Sequence, residues 1–286
     1  RLMAQPQNSP EIGETILAAG VATNIHDNHL ASDKIPVMFL HGSGPGVSAW
    51  ANWRLNLPII GRERRVIAPD ILGFGFTQRP ENNQYSMPIW LSHLNDVFHA
   101  LDVEQVDLVG NSFGGALAIA FCSHYPERVR RLVLMGSAGI EFPLTAGLDA
   151  VWGYQPSEDN MLNMMDVFAY NKQLVNKELA ALRYKASIAP GVQEAYENMF
   201  PAPRQEGITK IATAEDKIKQ IKAKTLIVHG RDDQVIPLEN SYRLHALIDD
   251  SQLHVFGRCG HWTQIEYCDE FNQQVIDFFD ADRGYK

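Results

Sequence analysis

Val106-Asp-Leu-Val-Gly-Asn-Ser-Phe-Gly-Gly-Ala-Leu-Ala-Ile-Ala120 sets a β-rich apolar run (Val106 to Val109) against a helix former that continues to Phe121, with Gly110-Asn-Ser-Phe-Gly114 between them. The pattern reads as strand, sharp turn, helix. Glycine on both sides of the turn lets two backbones approach so closely that Ser112 can project its hydroxyl from the apex, as in a nucleophile elbow. A chain of this length carries a chance G-x-S-x-G about one time in ten, so the surroundings of the motif must decide.

Outward from the elbow the pattern is regular. Short apolar runs at 36–40, 65–68, 131–135, 225–228 and 252–256 read as strands, most of them buried on both faces. Helical patterns at 49–58, 87–101, 113–124, 238–247 and 266–279 alternate with them, and a hairpin fits residues 11–27. Such alternation predicts an α/β protein with a mostly parallel central sheet flanked by helices, here the α/β-hydrolase fold. Residues 143–203 interrupt the alternation. They hold no strand pattern but three helical ones, at 157–170, 176–187 and 191–199, divided by Pro156, Pro190 and Pro201. The expected organisation is therefore a core of residues 10–142 and 204–282 with a helical cap, 143–203, inserted. Met161, Leu162, Met164, Met165, Val167 and Phe168 give the first cap helix a Met-rich face that suits core packing, an adaptable apolar pocket, or both.

Charge and composition narrow the function classes. Against 34 acidic residues the chain has 25 Lys and Arg, a net charge of −9, and no basic run, which argues against a nucleic-acid partner. Three cysteines (Cys122, Cys259, Cys268) are too few for a disulfide framework and lack metal-site spacing, which fits a reducing cytoplasm. The opening ten residues have no apolar signal core, and no run of apolar residues is long enough to span a membrane. The Gly-rich loop at 42–46 has the spacing G-x-G-x-G with Pro45 removing a donor, and no G-x-x-x-x-G-K-[ST] occurs, so no nucleotide, other cofactor or metal is expected. The partner expected is a small-molecule substrate.

A serine hydroxyl is a poor nucleophile until a base takes its proton, and that base needs a third group to orient it. Candidates belong at the ends of parallel strands. After the run at 225–228 comes His229-Gly-Arg-Asp-Asp-Gln-Val-Ile-Pro237; after 252–256 comes Gly257-Arg-Cys-Gly-His-Trp262. Ser112, Asp233, His261 is the chain order of α/β-hydrolase triads. Of ten histidines, only His261 occupies a Gly-preceded loop between the last strand and the closing helix; His41, His229 and His254 sit in or beside strands as structural residues. Asp233 fills the last place of G-x-x-D, leaving Asp232 as the alternative, a surface or turn residue. The strand at 36–40 runs into His41-Gly-Ser-Gly-Pro-Gly46, so the N–H groups of Ser43 and Phe113 are the expected oxyanion donors, by analogy with HGGG-type loops.

Four segments carry a family resemblance: His41-Gly-Ser-Gly-Pro-Gly-Val-Ser-Ala-Trp-Ala-Asn-Trp-Arg54, Gly110-Asn-Ser-Phe-Gly-Gly115, His229 to Pro237, and Phe256-Gly-Arg-Cys-Gly-His-Trp-Thr-Gln-Ile-Glu266. Together they resemble the meta-cleavage product hydrolases, carbon–carbon bond hydrolases of bacterial aromatic degradation, over residues 10–279. Asn8-Ser-Pro-Glu-Ile-Gly13, Gly147-Leu-Asp-Ala-Val-Trp-Gly-Tyr154 and Phe200-Pro-Ala-Pro-Arg204 are similar to the 2-hydroxymuconic semialdehyde hydrolase branch. The resemblance implies a 2-hydroxy-6-oxohexa-2,4-dienoate-type substrate, cleaved after ketonisation to 2-hydroxypenta-2,4-dienoate and a small carboxylic acid. It also implies substrate-binding roles for Asn52, Asn111, Arg183 and Trp262, and a homo-oligomer. Read without it, Arg183 is a solvated helix charge. An esterase acting on another carbonyl compound is the alternative.

Overall fold

The computed structural model of the protein describes residues 9–281; the opening segment, including Asn8 of the branch-like stretch, and residue 282 of the expected core lie outside the described residues. In chain order the elements are β1 (Glu14–Ala18), β2 (Val21–Asp27), β3 (Val37–Leu40), α1 (Ala49–Trp53), α2 (Leu57–Ile60), β4 (Val66–Pro69), α3 (Met87–Leu101), β5 (Val106–Asn111), α4 (Phe113–His124) and β6 (Val129–Met135). Then follow α5 (Ala146–Trp152), α6 (Glu158–Phe168), α7 (Lys177–Ser187), α8 (Val192–Met199), α9 (Gln205–Ile211), α10 (Glu215–Ile218), β7 (Lys224–Gly230), α11 (Leu238–Leu247), β8 (Ser251–Phe256), α12 (Thr263–Glu266) and α13 (Cys268–Asp280).

The eight strands form one sheet in the order β1-β2-β4-β3-β5-β6-β7-β8. Only the β1/β2 and β2/β4 pairs are antiparallel; β4 through β8 run parallel. The two-residue side-chain period divides the apolar strands between two cores. Met38, Leu40, Leu108, Leu132, Leu134 and Ile227 pack with α3 and α4 on one face, while Val37, Phe39, Val109, Val133, Met135 and Val228 pack with Trp53, Phe271 and Val275 on the other. Burial on both faces explains why these strands read as unbroken apolar runs. β8, at the sheet edge, alternates half-buried and exposed residues instead. Parallel pairing carries the C-terminal ends of β3, β5, β6, β7 and β8 to one rim, where ligand sites of such sheets lie.

The helices depart from the sequence reading in three ways. The single helix expected at 49–58 is two, because Pro58 has no N–H for a fourth-residue bond and fits only the first turn of a new helix, α2. The closing helix is divided at Tyr267, whose hydroxyl donates to Gly257 O at 2.8 Å. α5, α9 and α10 have no counterpart in the sequence reading; in α5, Gly147 weakens the helical pattern. That glycine is required by packing: a Cβ there would lie 2.0 Å from Gln234 O.

The strand that leads to Ser112 is anchored at its start by charge. Asp107 of β5 is fully buried and takes a two-bond fork from Arg130 of β6 (2.9 and 2.6 Å), with the buried Arg64 at 3.5 Å. Arg64 also pairs with Asp280. Removing one member of a buried ion network strands the others. Asp107→Ala is expected to cost about 3 kcal/mol of stability, read as a lower urea midpoint at unchanged m-value.

Candidate active site

Ser112 stands between the last residue of β5 and the first of α4 with φ 57° and ψ −116°, a conformation that costs an L-residue roughly 1–3 kcal/mol. Its own backbone holds it there. Ser112 N donates to Met135 O (3.0 Å), and its carbonyl accepts from Gly115, Ala116 and Ala138 N–H groups at 2.9–3.2 Å. The turn needs bare backbone beside it, because a Cβ on Gly114 would lie 2.2 Å from Leu40 O and one on Gly110 2.5 Å from Gly114 O. The Ser112 hydroxyl has no hydrogen-bond partner among the described residues.

Asp233 follows β7 and His261 follows β8, and His261 Nδ1 donates to Asp233 Oδ2 at 2.8 Å. With the proton on Nδ1, the ring's Nε2 keeps a free lone pair, as a general base requires. Phe168 of α6 stacks on the imidazole at 5.7 Å, and its carbonyl accepts from His261 N at 2.8 Å. Asp233 receives three further donors: Val235 N (2.8 Å), Ile236 N (3.0 Å) and His229 Nε2 (3.3 Å). His229 Nε2 carries a proton, since its neighbours, Ile236 O at 2.9 Å and the carboxylate, are both acceptors. Burial pushes the Asp233 carboxyl up, but the electrostatic attraction of His261 and the hydrogen bonds from His229 and His261 outweigh it and hold the group well below the usual carboxylate range. Asp232 is a half-buried turn residue paired with Arg231.

Ser43, Asn52, Asn111, Ser112, Arg183, His261 and Trp262 all line one cavity of about 320 Å³. Asp233 sits behind His261. Phe113 turns its ring into the core against Trp90 and Phe74, so only its amide can face the site. That amide opens α4, where helical N–H groups lack an intrahelical acceptor, and Ser43 N likewise has no acceptor among the described residues. Ser43 Oγ is tied back by Trp152 Nε1 at 3.0 Å. Asn52 Oδ1 accepts from Asn111 Nδ2 (3.2 Å) and Gly42 N (3.3 Å), leaving Asn52 Nδ2 and Asn111 Oδ1 buried and unpartnered among the described residues. Buried amide atoms in that state favour a polar ligand. Arg183 is not a solvated charge: only 19 % exposed, it pairs with Glu11 at 3.1 Å and donates to Gly46 O at 2.7 Å.

Several contributors escape the sequence reading. Glu266 accepts from Gly260, Tyr170 and Asn171 N–H groups at 2.7–3.2 Å, clipping the His261 loop to the end of α6. Gln264 lines the cavity with Oε1 unpartnered. Met161, Met164, Met165, Leu148, Val151 and Val235 supply the apolar wall. The helical pattern around the methionines was the one signal in the sequence, and it allowed a pocket without locating it.

Comparison with known proteins gives the family. Residues 35–267 match the model of the alpha/beta hydrolase fold family. The chain is 56 % identical to a 2-hydroxymuconate semialdehyde hydrolase of Pseudomonas sp. strain CF600, covering 96 % of each chain. It is 58 % identical to a 2-hydroxy-6-oxo-2,4-heptadienoate hydrolase of Pseudomonas putida F1, covering 95 % of this chain and 98 % of that one. A solved meta-cleavage product hydrolase from Pseudomonas fluorescens IP01, a serine-to-alanine variant complexed with acetates, superposes with a TM-score of 0.92 at 57 % identity over 95 % of this chain and 99 % of its own. The chain belongs to the meta-cleavage product hydrolases of the α/β-hydrolase fold. It is an enzyme acting on a small molecule, and no described helix is long and apolar enough to cross a membrane.

In this hydrolase the loop that carries Ser43 depends on a neutral imidazole. Fully buried, His41 donates from Nδ1 to Gly42 O (2.7 Å) and accepts at Nε2 from Ile71 N (2.9 Å). Burial lowers its pKa to about 4, the bond to Gly42 O opposing. A histidine depressed in the folded state stabilises fully above its unfolded value of about 6.5 and loses that contribution as pH falls toward the folded one. Wild type should therefore lose stability relative to His41→Gln between pH 6.5 and about 4, seen as converging urea midpoints.

Proposed function

We propose that this hydrolase cleaves the C5–C6 bond of 2-hydroxy-6-oxohexa-2,4-dienoate-type ring-fission products, 2-hydroxymuconic semialdehyde and its small 6-alkyl analogues. The observation that carries the reading is the shared cavity. A serine hydroxyl and an imidazole Nε2, both without a partner among the described residues, line the same cavity as buried amide groups likewise unpartnered and a guanidinium. A planar acid with a reactive carbonyl at its far end needs both sets of groups. The relatives named for 2-hydroxymuconate semialdehyde and 2-hydroxy-6-oxo-2,4-heptadienoate support the same substrate class.

In this mechanism the bound dienol first gives up its 2-hydroxyl proton and takes one at C5, becoming the 2-oxo form with a C3–C4 double bond. Ser112, deprotonated by His261 with Asp233 behind it, attacks the C6 carbonyl, and the Ser43 and Phe113 amides receive the oxyanion. Collapse breaks the C5–C6 bond. Its electron pair passes through the C3–C4 double bond to the 2-oxo oxygen, which is protonated to give 2-hydroxypenta-2,4-dienoate, and water releases the C6 fragment as a small carboxylic acid. Arg183 holds the substrate carboxylate, with Asn52, Asn111 and Trp262 fixing the dienoate plane. Residues 143–203 serve as the cap: α5 and α6 contribute Leu148, Val151 and the three methionines to the C6 side, where unbranched thioethers adapt to small substituents. A plain esterase would have little use for a guanidinium and three buried amides in its pocket.

The purified protein should bleach the yellow ring-fission products of catechol and 3-methylcatechol rapidly, and that of 2,3-dihydroxybiphenyl slowly. Ser112→Ala should slow the cleavage by at least about a thousandfold while the substrate still binds. Cleavage by that variant at near wild-type speed would remove Ser112 from the mechanism, and failure to bleach any of the three would remove the substrate class.

A further inference from the structure

The segment ahead of β1 reaches into the cavity with a carboxylate. Ser9, Pro10 and Glu11 line it, on the same wall as Arg183. Their backbone is fixed by the buried Asn24, whose Nδ2 donates to Glu11 O and whose Oδ1 accepts from Gly13 N, both at 2.9 Å. His26 Nε2 adds a bond to Glu11 O at 3.1 Å. The carboxylate is fixed as well. Glu11 Oε1 accepts from the fully buried Ser48 Oγ at 2.8 Å and from Arg183 Nη1 at 3.1 Å.

A guanidinium offers five N–H donors, and Glu11 and Gly46 O take two of those on Arg183. Among the described residues nothing takes the other three, which are left for a ligand, but the charge is already balanced. A substrate carboxylate arriving at Arg183 must share the cation with Glu11 or displace it, and either course gives back part of the attraction. We infer that Glu11 is the resident counter-ion of Arg183 and a specificity-determining residue of the site: it holds the guanidinium in place while the site is empty and limits how tightly the carboxylate end of substrate and dienoate product is held. The inference rests on the assignment of Arg183 to the substrate carboxylate. It also gives the dienoate product, which keeps that carboxylate, a way out of a site built around a cation.

Glu11→Gln tests it, because the amide keeps an acceptor for Ser48 and Arg183 but removes the charge. The readings are KM and kcat for the ring-fission product of 3-methylcatechol and the competitive Ki of pyruvate, which presents a 2-oxo acid end and little else. Both KM and Ki should fall about threefold to fivefold, the size of a partly exposed ion pair, with kcat no higher than wild type. Added salt should weaken pyruvate binding more steeply in the variant. Glu11→Asp, which withdraws the charge by one methylene, should lower Ki by a smaller factor and provides the test if the glutamine variant fails to fold. A residue that only braces the wall would leave KM and Ki unchanged or raise them, and that result overturns the proposal. Arg183→Gln separates the two readings: KM raised by at least about tenfold keeps Arg183 on the carboxylate whatever Glu11 does, whereas an unchanged KM removes that assignment itself.

Discussion

The fold turns on a close approach of two backbones. The first turn of α4 lies against the end of β3 at a distance that leaves no room for a side chain at 114, and Ser112 is held in left-handed space as a result. A lone strained residue would relax. Here the amide of Ser112 is taken by β6, and its carbonyl receives two helix N–H groups and one from the loop after β6. The strain is over-determined by contacts that already exist for the sheet. The same approach sets the first turn of α4 against the end of β3, whose loop carries Ser43 into the cavity that Ser112 also lines.

The second constraint is electrostatic, and its sign is decided by competition. Burial acting alone would push the carboxyl of Asp233 up, toward its neutral form. The two imidazoles turn the balance, and His229 is one of them although it is not among the residues lining the cavity. His229 in turn is held by Ser241 at Nδ1 (2.6 Å) and by Ile236 O. The proton on His261 Nδ1 is thus fixed by a chain reaching from α11 through β7 to the loop after β8. The tautomer is a property of the core and not of the site alone.

What is legible in the sequence follows from how locally each feature is encoded. Strands buried on both faces announce themselves as apolar runs, and Ser112, Asp233 and His261 each lie a few residues beyond one, so the α/β-hydrolase fold and the loops that approach one another can be read from a single chain. The ends of helices are less legible where one residue changes the chain's direction, as Pro58 and Tyr267 do. α5 is hidden by Gly147, whose reason for being there is a carbonyl nearly ninety residues away. Contacts between distant segments leave no trace at all. Nothing near Glu11 indicates that it meets Arg183, nothing near Glu266 indicates that it caps three amides, and Trp152 gives no sign of the bond that ties back Ser43.

Those distant contacts share a direction. Trp152, Phe168, Tyr170 and Arg183 lie in α5 to α7 or directly after them, and each meets the loop that carries Ser43, the loop that carries His261, or the segment ahead of β1. The helices above the sheet therefore reach the site through its positioning groups as well as through its apolar wall. Phe168 combines the two: its ring stacks on His261 and on Trp262, and its carbonyl holds the His261 amide. A displacement of α6 must then disturb His261, while a rotamer change of Met161, Met164 or Met165 need not. The apolar wall of the cavity is thus coupled through a single residue to His261, an adaptable methionine face lying beside a rigid aromatic one.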